Sequence, residues 1–244
     1  MLRMRRYFVT FGLTVAAIGA SGRSAQAGLL RPDAGRAYPD VLAGAVNGTQ
    51  TYTFDSASQL GRYEVKSTPT QIAGGAVDAE VFDIDVNADG SRSQTIIATI
   101  DGTGKLVSAG ENSYEVHGSV NADGQTFNGL LLKGTPTGFG AKDLGADVGG
   151  ADVYDMNIRV DGGSLAPYFG PDAYVRINTE IASTFDGTFT ANFSGEKTST
   201  NTRGYNSPKP FPVPEPSTLV LIVASAAGLL YRNRRRITSA DLGA

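Results

Sequence analysis

The run Asp85-Val-Asn87-Ala-Asp89-Gly90 sets three oxygen-bearing side chains at alternate positions before a glycine. That is the opening of a calcium loop, whose ligands alternate around a sharp turn. The rest of such a loop does not follow, because its twelfth position should hold a bidentate Glu and is Ile96 here. V-N-A-D-G occurs twice, at Val86 to Gly90 and at Val120 to Gly124, and in the second copy Ser119 replaces the first Asp. Each copy stands between segments of alternating polarity, and Asn, Asp and Gly all tolerate the positive φ of a tight turn. The pattern therefore predicts two β-hairpin turns. It leaves Asp85, Asn87 and Asp89 as the only candidate metal ligands, and no cofactor is expected.

Other chemistry has little to work with. His117 is the single histidine and there is no cysteine, which excludes a multi-histidine metal site, a thiol nucleophile and a thiolate cluster. By alternation His117 falls on the face opposite Tyr114, Val116 and Val120, as a solvated strand residue. Paired carboxylates could hydrolyse a glycoside, and Asp83, Asp85, Asp152 and Asp155 are near enough in sequence to be considered. Their side chains are expected to face outward. The chain has no Trp to line a sugar cleft, and most of its Tyr and Phe alternate inward. No catalytic residue is assigned, and the chain is read as non-enzymatic.

These residues need elements to hold them, and the elements are strands. Tyr154, Met156, Ile158 and Val160 alternate with Asp155, Asn157 and Arg159; Val175, Ile177, Thr179 and Ile181 alternate with Tyr174, Arg176, Asn178 and Glu180. Phe185, Gly187, Phe189, Ala191 and Phe193 share one face of a further predicted strand. D-G-T-G-K at Asp101 to Lys105 reads as a turn within an antiparallel meander. Lys133 to Asp155 is Gly-rich and acidic and is expected as a loop, and the segment bracketed by Pro167 and Pro171 as one helical turn at most. The fold class is all-β: an antiparallel sandwich, with a closed barrel as the alternative. An exported domain without disulfides must rely on its core, and about 170 residues suffice for that.

The ends read differently from the middle. Three arginines in M-L-R-M-R-R-Y precede an apolar block, and S-G-R-S-A-Q-A closes on small residues. This is the order of a secretory signal peptide over residues 1–27, with Ala25 and Ala27 marking the cleavage site. Between Gly28 and Pro214 the chain holds 13 Lys and Arg against 22 Asp and Glu, a net charge of −9 against −3 for the whole. So acidic a domain disfavours nucleic acid as a partner. The division expected is an all-β ectodomain over 28–195, a polar and Pro-rich linker over 196–213 that cannot bury a core, and a tail over 214–236.

That tail holds Pro214-Glu215-Pro216-Ser217-Thr218, an apolar run from Leu219 to Leu230, and then Arg232, Arg234, Arg235 and Arg236. As a helix the 12-residue run is ~18 Å long, short for a bilayer core of ~30 Å. The arginines act as a cytoplasmic stop by the positive-inside rule, so the domain lies outside. In order and spacing the tail resembles the PEP-CTERM sorting signal of exported bacterial proteins, departing from it in the I-T-S-A-D-L-G-A that continues beyond the arginines. The resemblance implies an exosortase as processing partner, with cleavage near Pro214, Glu215 and Pro216. It implies membrane attachment through the tail before processing, then a cell-surface or extracellular location. It also implies a structural role in the extracellular matrix. The alternative is a carbohydrate-binding module associated with exopolysaccharide, which would show an aromatic platform on an exposed sheet face. A hydrolase would show two carboxylates converging in a cleft.

Overall fold

The structure is a computed structural model, and it describes residues 28–30, 39–44, 48–74, 81–122, 124–145, 151–181 and 183–205. The expected signal segment, the residues beyond Tyr205 and the sorting tail lie outside that set. Eleven strands and one helical turn are present in it: β1 (Asp40–Ala43), β2 (Thr49–Asp55), β3 (Leu60–Ser67), β4 (Pro69–Ala73), β5 (Val81–Asp85), β6 (Ser93–Asp101), β7 (Ser113–Ala122), β8 (Gln125–Asp143), β9 (Asp152–Gly162), α1 (Ala166–Phe169), β10 (Asp172–Ile181) and β11 (Phe193–Tyr205). The all-β expectation holds. Where a sandwich would give two facing sheets, all eleven strands belong to one antiparallel sheet ordered β1-β4-β5-β7-β6-β3-β2-β11-β10-β9-β8.

Two further pairings, β7 with β8 and β1 with β11, join the sheet back onto itself. From β7 the hydrogen-bonded path runs through β6, β3, β2, β11, β10, β9 and β8 and returns to β7. β1, β4 and β5 continue the lines of β2, β3 and β6, so each named strand pairs with at least two others. Among the described residues the open edges are partial, since β8 pairs with β7 over Gln125 to Gly134 and with β9 over Lys133 to Asp143, and short edges of this kind recruit other chains poorly. The closing contact between β1 and β11 matches Asp40 with Arg203 and Ala43 with Thr200.

A circuit of this size encloses room for side chains and little else. Tyr52, Tyr63, Tyr114, Tyr154, Ile72, Ile96, Leu131 and Leu132 fill it, each fully buried. Buried phenols need partners; Tyr52 donates to the Phe189 carbonyl at 2.9 Å, and two buried glutamines serve the others. Tyr63 donates to Gln50 Oε1 at 2.7 Å, and Gln50 Nε2 donates to the Tyr154 oxygen at 3.2 Å. Gln94 Nε2 donates to the Tyr114 oxygen at 3.2 Å and to Thr202 Oγ1 at 3.1 Å, while Ser67 donates to Gln94 Oε1 at 2.8 Å.

The two V-N-A-D-G copies take different shapes. The second closes the β7–β8 hairpin, where Ala122 faces Gln125 and Gly124 takes φ +72°. The first is no hairpin, because β5 and β6 do not pair with each other. Both lie along β7, with Asp85 opposite Ser119 and Ser93 opposite His117, so residues 86–92 bulge out of a single line. Arg92 Nη1 donates to the Ile84 carbonyl at 2.9 Å and holds the bulge shut.

Three more expectations are corrected. Residues 185–192 are not a strand: Asp186 Oδ1 accepts from Thr188 N at 3.0 Å and Gly187 takes φ +83°, a turn that breaks the extended line. The alternation still reports burial, since Phe185 and Phe189 fold inward against Phe193, with Phe185 and Phe193 ring centroids 4.7 Å apart, and plug one end of the circuit. At the opposite end α1 is the expected single turn, burying Tyr168 and Phe169. The predicted loop after Lys133 is mostly strand, because β8 runs to Asp143. Its glycines answer close approach. A Cβ on Gly134 would stand 2.4 Å from Ile158 Cγ2, and one on Gly140 would stand 2.5 Å from the Gly28 carbonyl oxygen. Finally, residues 196–205, expected to open the linker, are most of β11, paired to β10 and β1.

The packing makes a stability prediction. A Cβ on Gly61 would lie 2.1 Å from the Tyr52 ring, so Gly61→Ala should cost about 1–3 kcal/mol through overpacking. Phe193→Ala, which empties a site touching Tyr52 at 4.8 Å and Phe185 at 4.7 Å, should cost about 3–5 kcal/mol. Urea unfolding measures both, and wild-type midpoints for the two variants would contradict this packing.

Candidate functional site

The residues singled out by sequence are dispersed rather than assembled. His117 stands part-exposed on the outer face, 3.3 Å from Glu115, which also meets Lys133 at 3.4 Å. Asn87 is buried and turned to its own loop: its Oδ1 accepts from the backbone N–H groups of Asp89 and Ser91, each at 3.1 Å. Asp89 Oδ1 accepts from Ser91 N at 2.8 Å. These oxygens are already engaged as turn anchors. Among the described residues no group of three or more His, Asp or Glu side chains is placed to hold a metal ion. Asp83 and Asp85 project from β5, while Asp152 and Asp155 belong to β9, so the four are not brought to one cleft.

Asp152 departs from its expected outward position. It shares the inward face with Tyr154, is 2% exposed, and its Oδ2 has no hydrogen-bond partner. Burial pushes its carboxyl up, with Asp143 opposite it on β8 adding to the effect, while the Ser183 hydroxyl works against it.

A different set of residues does converge. On the outer face of β10 and β11, Tyr174 stands opposite Arg203, and Arg176 opposite Asn201. The next strand on one side places Asp155 opposite Arg176, and on the other side Asp40 stands opposite Arg203. Arg176 donates through Nε to Asp155 Oδ1 at 3.0 Å and through Nη2 to Oδ2 at 3.2 Å. Arg203 donates through Nε to Asp40 Oδ2 at 2.6 Å. The carboxylates are 0% and 3% exposed, whereas the guanidinium side chains are 22% and 26% exposed. Between them opens a cleft of about 230 Å³ lined by Tyr174, Arg176, Asn178, Asn201 and Arg203. Burial, with the Asp155 carboxylate beside it, pushes the Tyr174 phenol up, so it stays neutral.

Chemically, two planar forks are fixed from behind by buried carboxylates and offer donors that point-charge lysines could not position. The Asn201 amide adds donors and an acceptor, while Asn178 Nδ2 already donates to Ser199 Oγ at 2.8 Å. Alternation places Tyr174, Arg176 and Asn178 on one outward face. Asn201 and Arg203 are illegible as partners while their segment reads as a linker. The signal was N-T-R-G, with Thr202 and Gly204 at the alternate positions. Thr202 is the residue that meets Gln94 and Tyr114 in the interior.

The described domain is all-β, one antiparallel sheet with an outward polar cleft. Residues 212–236 match the family model of the PEP-CTERM protein-sorting motif. The chain carries that motif and is an exosortase substrate, sorted for export and the cell surface. No curated protein and no solved structure matches it. Among the described residues no helix is long and apolar enough to cross a membrane.

Two outcomes are expected. Asp152 has a raised folded value, so its stabilising contribution is complete below the ordinary carboxyl value of 3.8 and is lost as pH rises through the folded value. Asp152→Asn should therefore raise the melting temperature at pH 7 and leave it near wild type at pH 3; a lowered melting temperature at pH 7 would contradict this. Arg176→Ala strands the Asp155 carboxylate, which is 0% exposed, and should cost about 3–5 kcal/mol. Much of that loss should return in the Arg176→Ala, Asp155→Ala pair, checked by urea unfolding as a double-mutant cycle.

Proposed function

We propose that this chain is an exported, non-enzymatic surface or extracellular-matrix protein whose β domain is delivered by its tail. Residues 1–27 direct export and are removed after Ala27. The domain is a filled barrel, running to the end of β11. Pro214 and Pro216 disfavour helix around Glu215, the site where an exosortase cuts. The apolar run holds the precursor in the membrane, with Arg232, Arg234, Arg235 and Arg236 on the cytoplasmic side. A run of that length need hold only until cleavage.

The single observation that carries this reading is the sorting motif at residues 212–236, which follows a domain whose strands pair in one circuit. A sheet with few open edges suits a protein that must stay folded outside the cell without disulfides. Matrix placement is the finer part of the proposal, supported by the family implication of the tail.

A second reading, carbohydrate binding by the same domain, is favoured by the Arg and Asn cleft on β10 and β11. An aromatic platform is not its basis: among the described residues the large apolar side chains that are exposed are Val81 and Val86.

Intact mass of the protein recovered from the native cell surface tests the processing. The expected chain begins at Gly28 and ends near Glu215. A recovered mass that includes Arg236 overturns exosortase cleavage, and one that begins at Met1 overturns signal removal.

A further inference from the structure

The cleft between β10 and β11 has a polarity that narrows its ligand. Arg176 and Arg203 stand diagonally across the strand pair, opposite Asn201 and Tyr174 respectively. Like charges at that spacing repel unless something lies between or behind them. Asp155 and Asp40 lie behind, nearly or wholly buried, and neither lines the cleft. A ligand therefore meets two guanidinium groups at contact range and the compensating carboxylates only at longer range, so the cleft presents the positive ends of two fixed dipoles. Each carboxylate engages the Nε edge of its arginine. The Nη groups of Arg203 are not used in those bonds and face the cleft, and Asn201 lies in the same row as Arg176, whose side chain also meets Tyr174.

We propose, resting on the carbohydrate-binding reading above, that this cleft selects a sugar unit bearing a carboxylate. The carboxylate lies between Arg176 and Arg203, and a ring hydroxyl meets the amide of Asn201. The volume of about 230 Å³ is below the range of pockets for drug-sized ligands and fits one small polar ring. Guanidinium groups recognise a carboxylate through paired N–H donors, and side-chain amides can both give to and accept from a hydroxyl. The net charge of −9 over Gly28 to Pro214 works against anions at the general surface, so anion binding at this cleft cannot be ascribed to overall attraction.

The test is calorimetric titration of the full chain with three probes: glucuronate, glucose and a short Glu-containing peptide. Glucuronate is expected to bind about tenfold or more tighter than glucose, the difference of one charge-assisted contact. Asn201→Ala, which touches neither ion pair, and Arg176→Lys, which keeps the charge beside Asp155 but loses the planar fork, should each weaken glucuronate about tenfold. Circular dichroism checks that both variants remain folded, and Asn201→Ala alone suffices if Arg176→Lys does not. Equal binding of glucose and glucuronate overturns the carboxylate selection and leaves the carbohydrate reading standing. Equal or tighter binding of the peptide overturns the sugar assignment. Binding of none of the three by the wild-type chain overturns the carbohydrate reading and this inference together.

Discussion

Closure of the hydrogen-bonded circuit is the constraint from which the rest of the domain follows. β7 meets β8 and β11 meets β1, so the path of paired strands returns to its start and the inner face looks on itself. The interior must then be filled by the side chains that alternate into it. The sequence supplies tyrosine and phenylalanine for bulk, and the tyrosines carry hydroxyls that water cannot reach. Gln50 and Gln94 answer them, each joining strands distant in sequence. An unpaired phenol or amide in such a place costs about 1–3 kcal/mol, so the polar nodes fix which strands close on which. In a chain without cysteine these nodes and the aromatic packing do the work that a disulfide would otherwise share.

The same closure sets the outer surface. Because β11 carries β10 on one side and β1 on the other, the outward residues of three strands form one continuous polar row. Two arginines in that row would repel if left to themselves. Asp155 and Asp40, one strand further out on either side, neutralise them from beneath and hold each guanidinium by its Nε edge. Desolvating two carboxylates is expensive, and such pairs are kept where a fixed geometry matters more than bulk stability. The cleft is thus a product of register, since a one-residue slip of β11 would turn Arg203 inward and Thr202 out.

What could be read from the sequence divides along a physical line. Period-two alternation depends on burial alone, and it was legible: Tyr154, Met156 and Ile158 face in, and Tyr174, Arg176 and Asn178 face out. Pairing partners depend on contacts between remote segments, and they were not. V-N-A-D-G makes a hairpin at Val120 to Gly124 and a bulge at Val86 to Gly90, because in the second case β7 takes both flanking strands. Gly134 and Gly140 read as loop residues, but their lack of Cβ admits Ile158 and the backbone at Gly28. The segment 196–205 read as a linker since neither face is apolar. Its inward Thr200 and Thr202 are small polar residues in the core, and Thr202 bonds Gln94 and Tyr114. Missing that strand hid half of the cleft. The sorting motif lay fully in view, because its order of proline, apolar and basic residues is local.

The described strands pair into one circuit ahead of a tail that carries the sorting motif. Native-state hydrogen exchange reads the closure directly, since an unpaired strand edge loses its amide protons far sooner than a paired interior strand. The amides of Thr200 to Arg203 on β11 and of Tyr114 to Val120 on β7 should be protected to the same degree as those of β3 and β6. Exchange at these closing strands as fast as in the turn at Gly102 to Gly104, with β3 and β6 still protected, would show an open sheet and contradict it.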